Sequence, residues 1–152
     1  MAPPGTAALS PLELDAWRGL LAAHSTTTAT LDAELEARFD LPLKSYEVLL
    51  HLHDAPDRSL RMGELAERLY FSRSGLTRLI DRLVKAGLVE RADCESDRRG
   101  SYARLTREGR KRFQAARPAH LRGVRKHFLS KLDEADLRHL AGVWPKVTGN
   151  PA

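Results

Sequence analysis

The stretch GELAERLYFSRSGLTRLIDRLVKAGLVER, residues 63–91, decides the fold. Its first part has the apolar spacing of a short helix over 62–69, and a two-residue connection follows. Ser72 is a typical N-cap for the next helix, because its hydroxyl can accept a backbone amide of the first turn. Gly87 is typical of a helix end. Two helices joined by so tight a turn predict a helix-turn-helix.

The second of these helices combines an apolar face with a polar, cationic one. A helix that reads a DNA major groove needs a fixed apolar face, and it offers short polar or forked cationic groups from its first turns. Arg73 or Arg78 could pair with a guanine through two hydrogen bonds, and contact with phosphates alone is the alternative. The predicted DNA-contacting residues of this helix are Ser72, Arg73, Ser74, Gly75, Thr77, Arg78 and Arg82, with Arg61 and Arg91 as further phosphate contacts.

Two short segments after the helix-turn-helix alternate apolar and polar residues, at 88–91 and 102–105. This alternation predicts a hairpin of half-exposed strands with a charged tip. Arg98 and Arg99 lie in the tip and could enter a narrow minor groove, where the negative potential is deepest. An ordinary charged turn is the alternative interpretation.

The flanking segments predict further helices. Ser10, Pro11 and Glu13 form a helix-start signal, and an amphipathic pattern then continues to residue 39. A stripe of that length exceeds what one compact core can cover, so we expect part of it to pack on a second chain. A helix ending by Asp54 follows, then a short strand at Leu60. A helix from Thr106 is expected to kink at Pro118, and Asp133 can cap a last helix.

The order and spacing of these motifs resemble the DNA-binding core of MarR-type regulators. The fragments that carry the resemblance are Gly63 to Leu69, Ser74 to Leu83, Gly87 to Arg91, Asp97-Arg98-Arg99 and Leu105 to Arg110. The resemblance implies a mainly α fold with a small β-hairpin wing. It divides a single domain, 1–152, into a winged helix-turn-helix core at 42–106 and dimerisation helices at 10–39 and 107–148.

The same resemblance implies a function. Proteins of this type are homodimers that control genes, usually as repressors released by a small molecule. The aspartate of the Asp-x-Arg pattern, here Asp97, is expected to support the wing by orienting Arg99. In the family, aromatic carboxylates often bind between the dimer helices and the DNA-binding core, which makes a small aromatic or phenolic effector a possible partner. The residues that could line such a pocket are Trp17, His24, Tyr46, His51 and Trp144, and simple core or interface packing is the alternative.

Charge is distributed unevenly along the chain. Residues 1–59 carry 4 Lys/Arg against 9 Asp/Glu, residues 60–112 carry 14 against 8, and residues 113–152 carry 7 against 3. A positive middle segment would attract duplex DNA through counterion release, although a well-solvated surface has the same composition. The DNA-binding prediction therefore depends on the motifs and not on charge alone.

Several function classes are disfavoured. No apolar run is long enough for a membrane span and no secretory signal precedes the first helix, so we expect a cytoplasmic protein. The histidines lack the spacing of a metal site, and no cofactor motif is present. Cys94, the single cysteine, lies among acidic residues that disfavour a reactive thiolate. We expect no enzyme, because no nucleophile, base and orienting group are spaced for catalysis. An effector-independent architectural DNA-binding protein and a protein-interaction module remain as alternatives.

Overall fold

The computed structural model describes the backbone of residues 8–94 and 97–149, and the side chains of these residues outside 94–100. It shows a mainly helical chain with a small three-stranded antiparallel sheet, as the sequence predicts. None of the described helices has a stretch long and apolar enough to cross a bilayer.

The first helix, α1 (Pro11–Phe39), starts and ends where local signals place it. The Ser10 hydroxyl accepts the Glu13 amide at 3.3 Å, and the Glu13 carboxylate accepts the Ser10 amide at 2.7 Å. Among the residues of α1 only Leu31 and Leu35 are buried. The N-terminal half of the helix is exposed in the single chain, including most of the apolar stripe.

Helix α2 (Leu43–Asp54) comes next in the chain and precedes the helix-turn-helix. At the start of α2, the Leu43 amide donates to the Asp32 carboxylate at 2.7 Å. A single 3-10 turn (Pro56–Arg58) and strand β1 (Ser59–Arg61) lead into α3 (Met62–Arg68) and α4 (Arg73–Lys85). Tyr70, in the turn between α3 and α4, has a left-handed φ of 55°. The sequence pattern does not predict this, because glycine is the usual residue for that conformation.

Strands β2 (Val89–Cys94) and β3 (Asp97–Leu105) form the hairpin, and the sheet order is β1-β3-β2. Val89 pairs with Leu105 and Asp93 with Ser101, with a register shift between Asp93 and Cys94. Both strands are longer than the alternating segments predicted at 88–91 and 102–105. The reason is that backbone pairing continues through charged residues whose side chains need no core.

Two C-terminal helices complete the chain. The longer, α5 (Arg107–His127), runs through Pro118 as one continuous helix. After a 3-10 turn (Leu129–Lys131), α6 (Glu134–Thr148) begins with a capping box between Asp133 and Asp136. No residue of α6 is buried in the single chain.

The core lies between α2, the helix-turn-helix, the sheet and the inner face of α5. Its largest fully buried side chains are Tyr46 and Phe113, whose ring centroids are 5.3 Å apart. Buried leucines from α2, the helix-turn-helix and the sheet belong to the same core cluster. The Arg112 guanidinium donates to the Phe39 carbonyl at 3.0 Å and so holds the end of α1 against α5.

One close approach joins the end of α4 to the start of α5. Gly87 has a φ of +72° and turns the chain from α4 toward β2. The Gly87 carbonyl accepts the Thr106 hydroxyl at 2.7 Å. The Thr106 amide donates to the Leu88 carbonyl at 3.2 Å. A Cβ on Gly109 would lie 2.0 Å from that same carbonyl oxygen, so only glycine fits there. Helix α4, the root of the hairpin and α5 are thereby fixed to one another.

Candidate nucleic-acid interface

The recognition helix α4 separates its two faces as the sequence predicts. Leu76, Leu79, Ile80 and Leu83 are buried in the core. The opposite face is open to solvent, and the residues exposed on it include Arg73, Ser74, Thr77, Arg78 and Arg82. Because the buried leucines fix the rotation of the helix, these polar groups point away from the protein together.

The start of α4 is built around Ser72. Its hydroxyl accepts the Gly75 amide at 3.1 Å and lies 3.4 Å from the Ser74 hydroxyl. A Cβ added to Gly75 would be 3.0 Å from the Ser72 oxygen. Gly75 therefore leaves room for the cap itself, which is a reason for glycine at this position besides the close approach of DNA that the sequence suggests.

An ion pair connects the recognition helix to the hairpin. The Arg91 guanidinium, on β2, donates to the Asp81 carboxylate of α4 at 2.8 Å and to the Ser101 hydroxyl of β3 at 3.4 Å. One side chain thus joins three elements. Sequence reasoning identified Arg91 only as a phosphate contact and did not find Asp81, because no local rule pairs residues ten positions apart.

A second arginine is held on the edge strand. Arg61 Nε donates to the Tyr102 hydroxyl at 2.8 Å, and the guanidinium lies 5.4 Å from the centre of the tyrosine ring. Arg61, Arg73 and Arg91 line one open groove between the helix-turn-helix and the hairpin, with a volume of about 540 Å³. The groove therefore carries three cations, together with the carboxylates of Glu64 and Glu67.

The predictions for the hairpin tip fall outside the described side chains. The backbone places Asp97, Arg98 and Arg99 at the beginning of β3. The contacts of their side chains, including any support of Arg99 by Asp97, stay predictions from the sequence. The same holds for the side chain of Cys94.

The five residues predicted to line an effector pocket are not enclosed together in the single chain. Trp17 on α1 is 52% exposed and Trp144 on α6 is 37% exposed, and His24 is exposed as well. Tyr46 is only 2% exposed and belongs to the core. A pocket formed by these residues would need surfaces from a second chain, so the effector site stays a prediction.

Burial favours the neutral forms of Tyr46, His51 and His120. Burial raises the pKa of the Tyr46 hydroxyl. Burial, followed by the nearby Arg68 charge, lowers the pKa of His51, and burial lowers the pKa of His120, whose ring lies 4.4 Å from that of Tyr46. His120 Nδ1 is buried and has no hydrogen-bond partner among the described residues. A lowered histidine pKa means that the native state resists protonation, so these histidines reduce stability as the pH falls below their ordinary pKa.

Comparison with known proteins identifies the family. AbsC from Streptomyces coelicolor, a MarR family transcriptional regulator, is 35% identical and superimposes with a TM-score of 0.89, covering 95% of this chain and 97% of AbsC. The chain belongs to the MarR family. The MarR family model itself matches residues 39–100, which contain α2, the helix-turn-helix and most of the hairpin.

A second MarR-family structure and a curated transcriptional regulator are also similar to the chain. Sco3205 from Streptomyces coelicolor, solved in complex with DNA, is 32% identical with a TM-score of 0.90, covering 96% of this chain and 91% of that one. The HTH-type transcriptional regulator PrsX from Escherichia coli is 35% identical over 103 residues, or 68% of this chain. The chain spans about half of the length of PrsX, 52%. This membership places the chain among transcriptional regulators and not among enzymes.

Proposed function

We propose that this MarR-family protein is a sequence-specific repressor that binds an inverted-repeat DNA operator as a homodimer. The observation that carries the proposal is the exposed face of α4, where Arg73, Thr77 and Arg78 stand on a helix fixed by four buried side chains. The DNA complex of Sco3205 supports it, because that protein shares the fold along nearly the whole chain. As a DNA-binding regulator the protein acts in the cytoplasm.

The exposed apolar side chains support the homodimer. Leu12, Trp17 and Leu21 on α1 and Val143 and Trp144 on α6 are all more than one third exposed in the single chain. Apolar residues left exposed on the two terminal helices are typical of an interface. A twofold dimer would set two copies of α4 about one DNA turn apart, so the half-sites should be inverted and roughly 10 base pairs apart between centres.

Selection of random duplex DNA by the purified protein, followed by sequencing of the retained pool, tests this function. We expect an inverted repeat with that spacing. A pool without a motif, combined with binding that fades on modest addition of salt, would instead favour an architectural role. If the protein binds no DNA at any salt concentration, the remaining interpretation is a protein-interaction module.

We expect Arg78→Ala to weaken binding to the selected operator by roughly 5- to 150-fold and to relax the preference at one base position. The reason is that a guanidinium paired with a base edge contributes about 1–3 kcal/mol of discrimination. Fluorescence anisotropy with operator variants measures both effects. Arg38→Ala is the matched control, because it removes the same charge from the exposed surface of α1. Equal operator preference in Arg78→Ala and the parent would remove Arg78 from the set of base contacts.

We expect Asp81→Asn to weaken operator binding about threefold or more, although the change removes a negative charge from a DNA-binding helix. Electrostatics alone would strengthen binding. Loss of affinity would therefore report the lost positioning of Arg91 and the hairpin. The pair is exposed, so the free energy of unfolding should change by no more than about 1 kcal/mol.

The control for Asp81→Asn is Glu64→Gln. It breaks an ion pair of similar exposure, Arg68 to Glu64 at 2.7 Å, within the single helix α3. Operator affinity should then be unchanged or slightly higher. If Asp81→Asn behaves in the same way, the ion pair does not position the hairpin.

We also propose that a small aromatic or phenolic molecule releases the operator. An effector shifts the equilibrium between a DNA-binding form of the dimer and a form that does not bind DNA. The size of the shift is the difference in its binding free energy to the two forms, typically about 1–3 kcal/mol. Retention of operator affinity across a panel of aromatic carboxylates and phenols would argue for the effector-independent alternative.

A further inference from the structure

Helix α5 holds more positive charge than the whole protein does. Residues 107–127 contain 8 Lys/Arg and 1 Asp/Glu, a net charge of +7, whereas the complete chain has +5. The rest of the molecule, including the recognition helix, therefore sums to −2. The strongest positive element is not one of the predicted DNA-reading elements.

Four of the eight cations of α5 lie together on its outer face. The buried residues Gly109, Phe113, Ala116 and Gly123 define the inner face. At 100° per residue, Arg107, Lys111, Arg122 and Arg125 fall within about 60° of one another on the opposite side. We call these four residues the α5 track; over the 18 steps from first to last it is about 27 Å long. All four are exposed.

The α5 track is not used in ion pairs within the part of the protein that the structure describes. Among those residues, none of its four side chains pairs with a carboxylate. Arg107 stands in the first turn of α5, where a cation opposes the positive end of the helix dipole. Arg125 stands in the last turn, where the dipole favours a cation. Helix stability therefore accounts for Arg125 and not for Arg107.

The α5 track continues from the recognition helix. Arg82 and Lys85 are exposed at the end of α4. The hydrogen bonds between Gly87 and Thr106 and between Leu88 and Thr106 place the start of α5 directly beside that end. A row of exposed cations therefore leads from the helix proposed to read the operator onto the outside of the molecule.

We propose that the α5 track binds the phosphate backbone of DNA flanking the operator, which extends the contact beyond the two recognition helices. The proposal rests on the DNA-binding function proposed above. Duplex DNA fits the surface because each strand carries one phosphate for about every 3.4 Å of helix axis, so a duplex that runs alongside the track presents about eight phosphates of one strand over its length. Contact would draw the flanking duplex toward the body of the protein, and the cost of bending is offset by the added ion pairs.

The test compares two duplexes that contain the same selected operator, one ending at the operator and one extended to about 60 base pairs. The parent should bind the long duplex at least tenfold more tightly. The variant R107Q/K111Q/R122Q/R125Q should bind the short duplex like the parent and lose the gain from length. On the long duplex, the slope of log K against log salt should fall by about 0.9 for each lost phosphate contact.

Two further variants separate charge from structure. R18Q/R38Q/K131Q/K146Q removes four exposed cations from outside α5 and should retain the gain from length. R107K/R122K/R125K keeps the charge of the α5 track and should also bind the long duplex more tightly than the short one. If the four-residue α5 variant does not form a folded dimer, as judged by unfolding and by mass in solution, R107Q/K111Q replaces it. This double variant should show about half of the expected fall in the slope of log K against log salt.

The outcomes are distinct. Equal binding of the parent to both duplexes, or an α5 variant that keeps the gain from length, overturns the inference and leaves the repressor proposal intact. A parent that binds neither duplex overturns the proposed function and with it the α5 proposal. An α5 variant that loses only binding to vesicles rich in phosphatidylserine would assign the track to a lipid surface and overturn its assignment to DNA.

Discussion

Gly109→Ala should destabilise the protein by about 3 kcal/mol or more. The added Cβ would lie 2.0 Å from the Leu88 carbonyl oxygen and 2.9 Å from a methyl carbon of Leu105. A Cβ has no rotamer by which to escape, and the nearest atom belongs to backbone at the root of β2. The start of α5 would have to move off the sheet, which breaks the hydrogen bonds that Thr106 donates to the carbonyls of Gly87 and Leu88. Denaturant unfolding at one fixed protein concentration measures the loss, because the stability of a dimer depends on concentration.

The control for Gly109→Ala is Gly63→Ala on α3. A Cβ at Gly63 meets nothing within 4 Å. Alanine is the better helix former, so this change should be neutral or should stabilise by up to about 1 kcal/mol. Equal unfolding midpoints for the two alanine variants would show that α5 does not pack against Leu88 as described.

Phe113→Ala should cost about 3–5 kcal/mol in the free energy of unfolding. The side chain is fully buried, and its ring centroid lies 5.3 Å from that of Tyr46 and 4.8 Å from that of His53. Removal of the ring leaves a cavity between α2 and α5 that rigid helices cannot close. Arg117, whose guanidinium lies 5.8 Å from the ring centre, would also lose its cation–π partner.

Two companion variants frame the Phe113→Ala experiment. Phe113→Leu refills part of the volume and should lose less than half as much stability. Gln114→Ala changes the next residue, which is exposed, and should stay within about 0.5 kcal/mol of the parent. If Phe113→Ala and Gln114→Ala had similar unfolding midpoints, the aromatic cluster would not be the centre of the core.

The sequence predicts the elements of this fold well because their ends depend on local chemistry. Ser10, Ser72 and Asp133 each cap a helix with a side-chain oxygen, and a hydroxyl or carboxylate close to an amide in sequence is visible without a structure. The buried face of α4 is equally local, since it follows from the spacing of leucines along one helix. These signals were enough to predict a helix-turn-helix with a hairpin.

Other features depend on residues that are distant in sequence. Asp81 meets Arg91 only because β2 folds back along α4. The need for glycine at 109 comes from a carbonyl that lies 21 positions earlier in the chain. The effector residues show the same limit, because spacing places Trp17 and Trp144 on amphipathic helices and cannot say which chain covers them. The wing residues Asp97, Arg98 and Arg99 remain sequence predictions throughout.

Helix α1 is held at one end only. Its buried residues, Leu31 and Leu35, lie near the C-terminus, and the segment before them extends away from the core over roughly 30 Å. Such a helix can tilt about its buried end. By simple trigonometry on that length, a tilt of about 10° at the pivot displaces the far end by about 5 Å. If the far ends meet in a dimer, small angular changes near Leu31 would become ångström-scale changes in the spacing of the two recognition helices. A molecule bound close to the pivot would then need to move few atoms to disturb the fit to DNA.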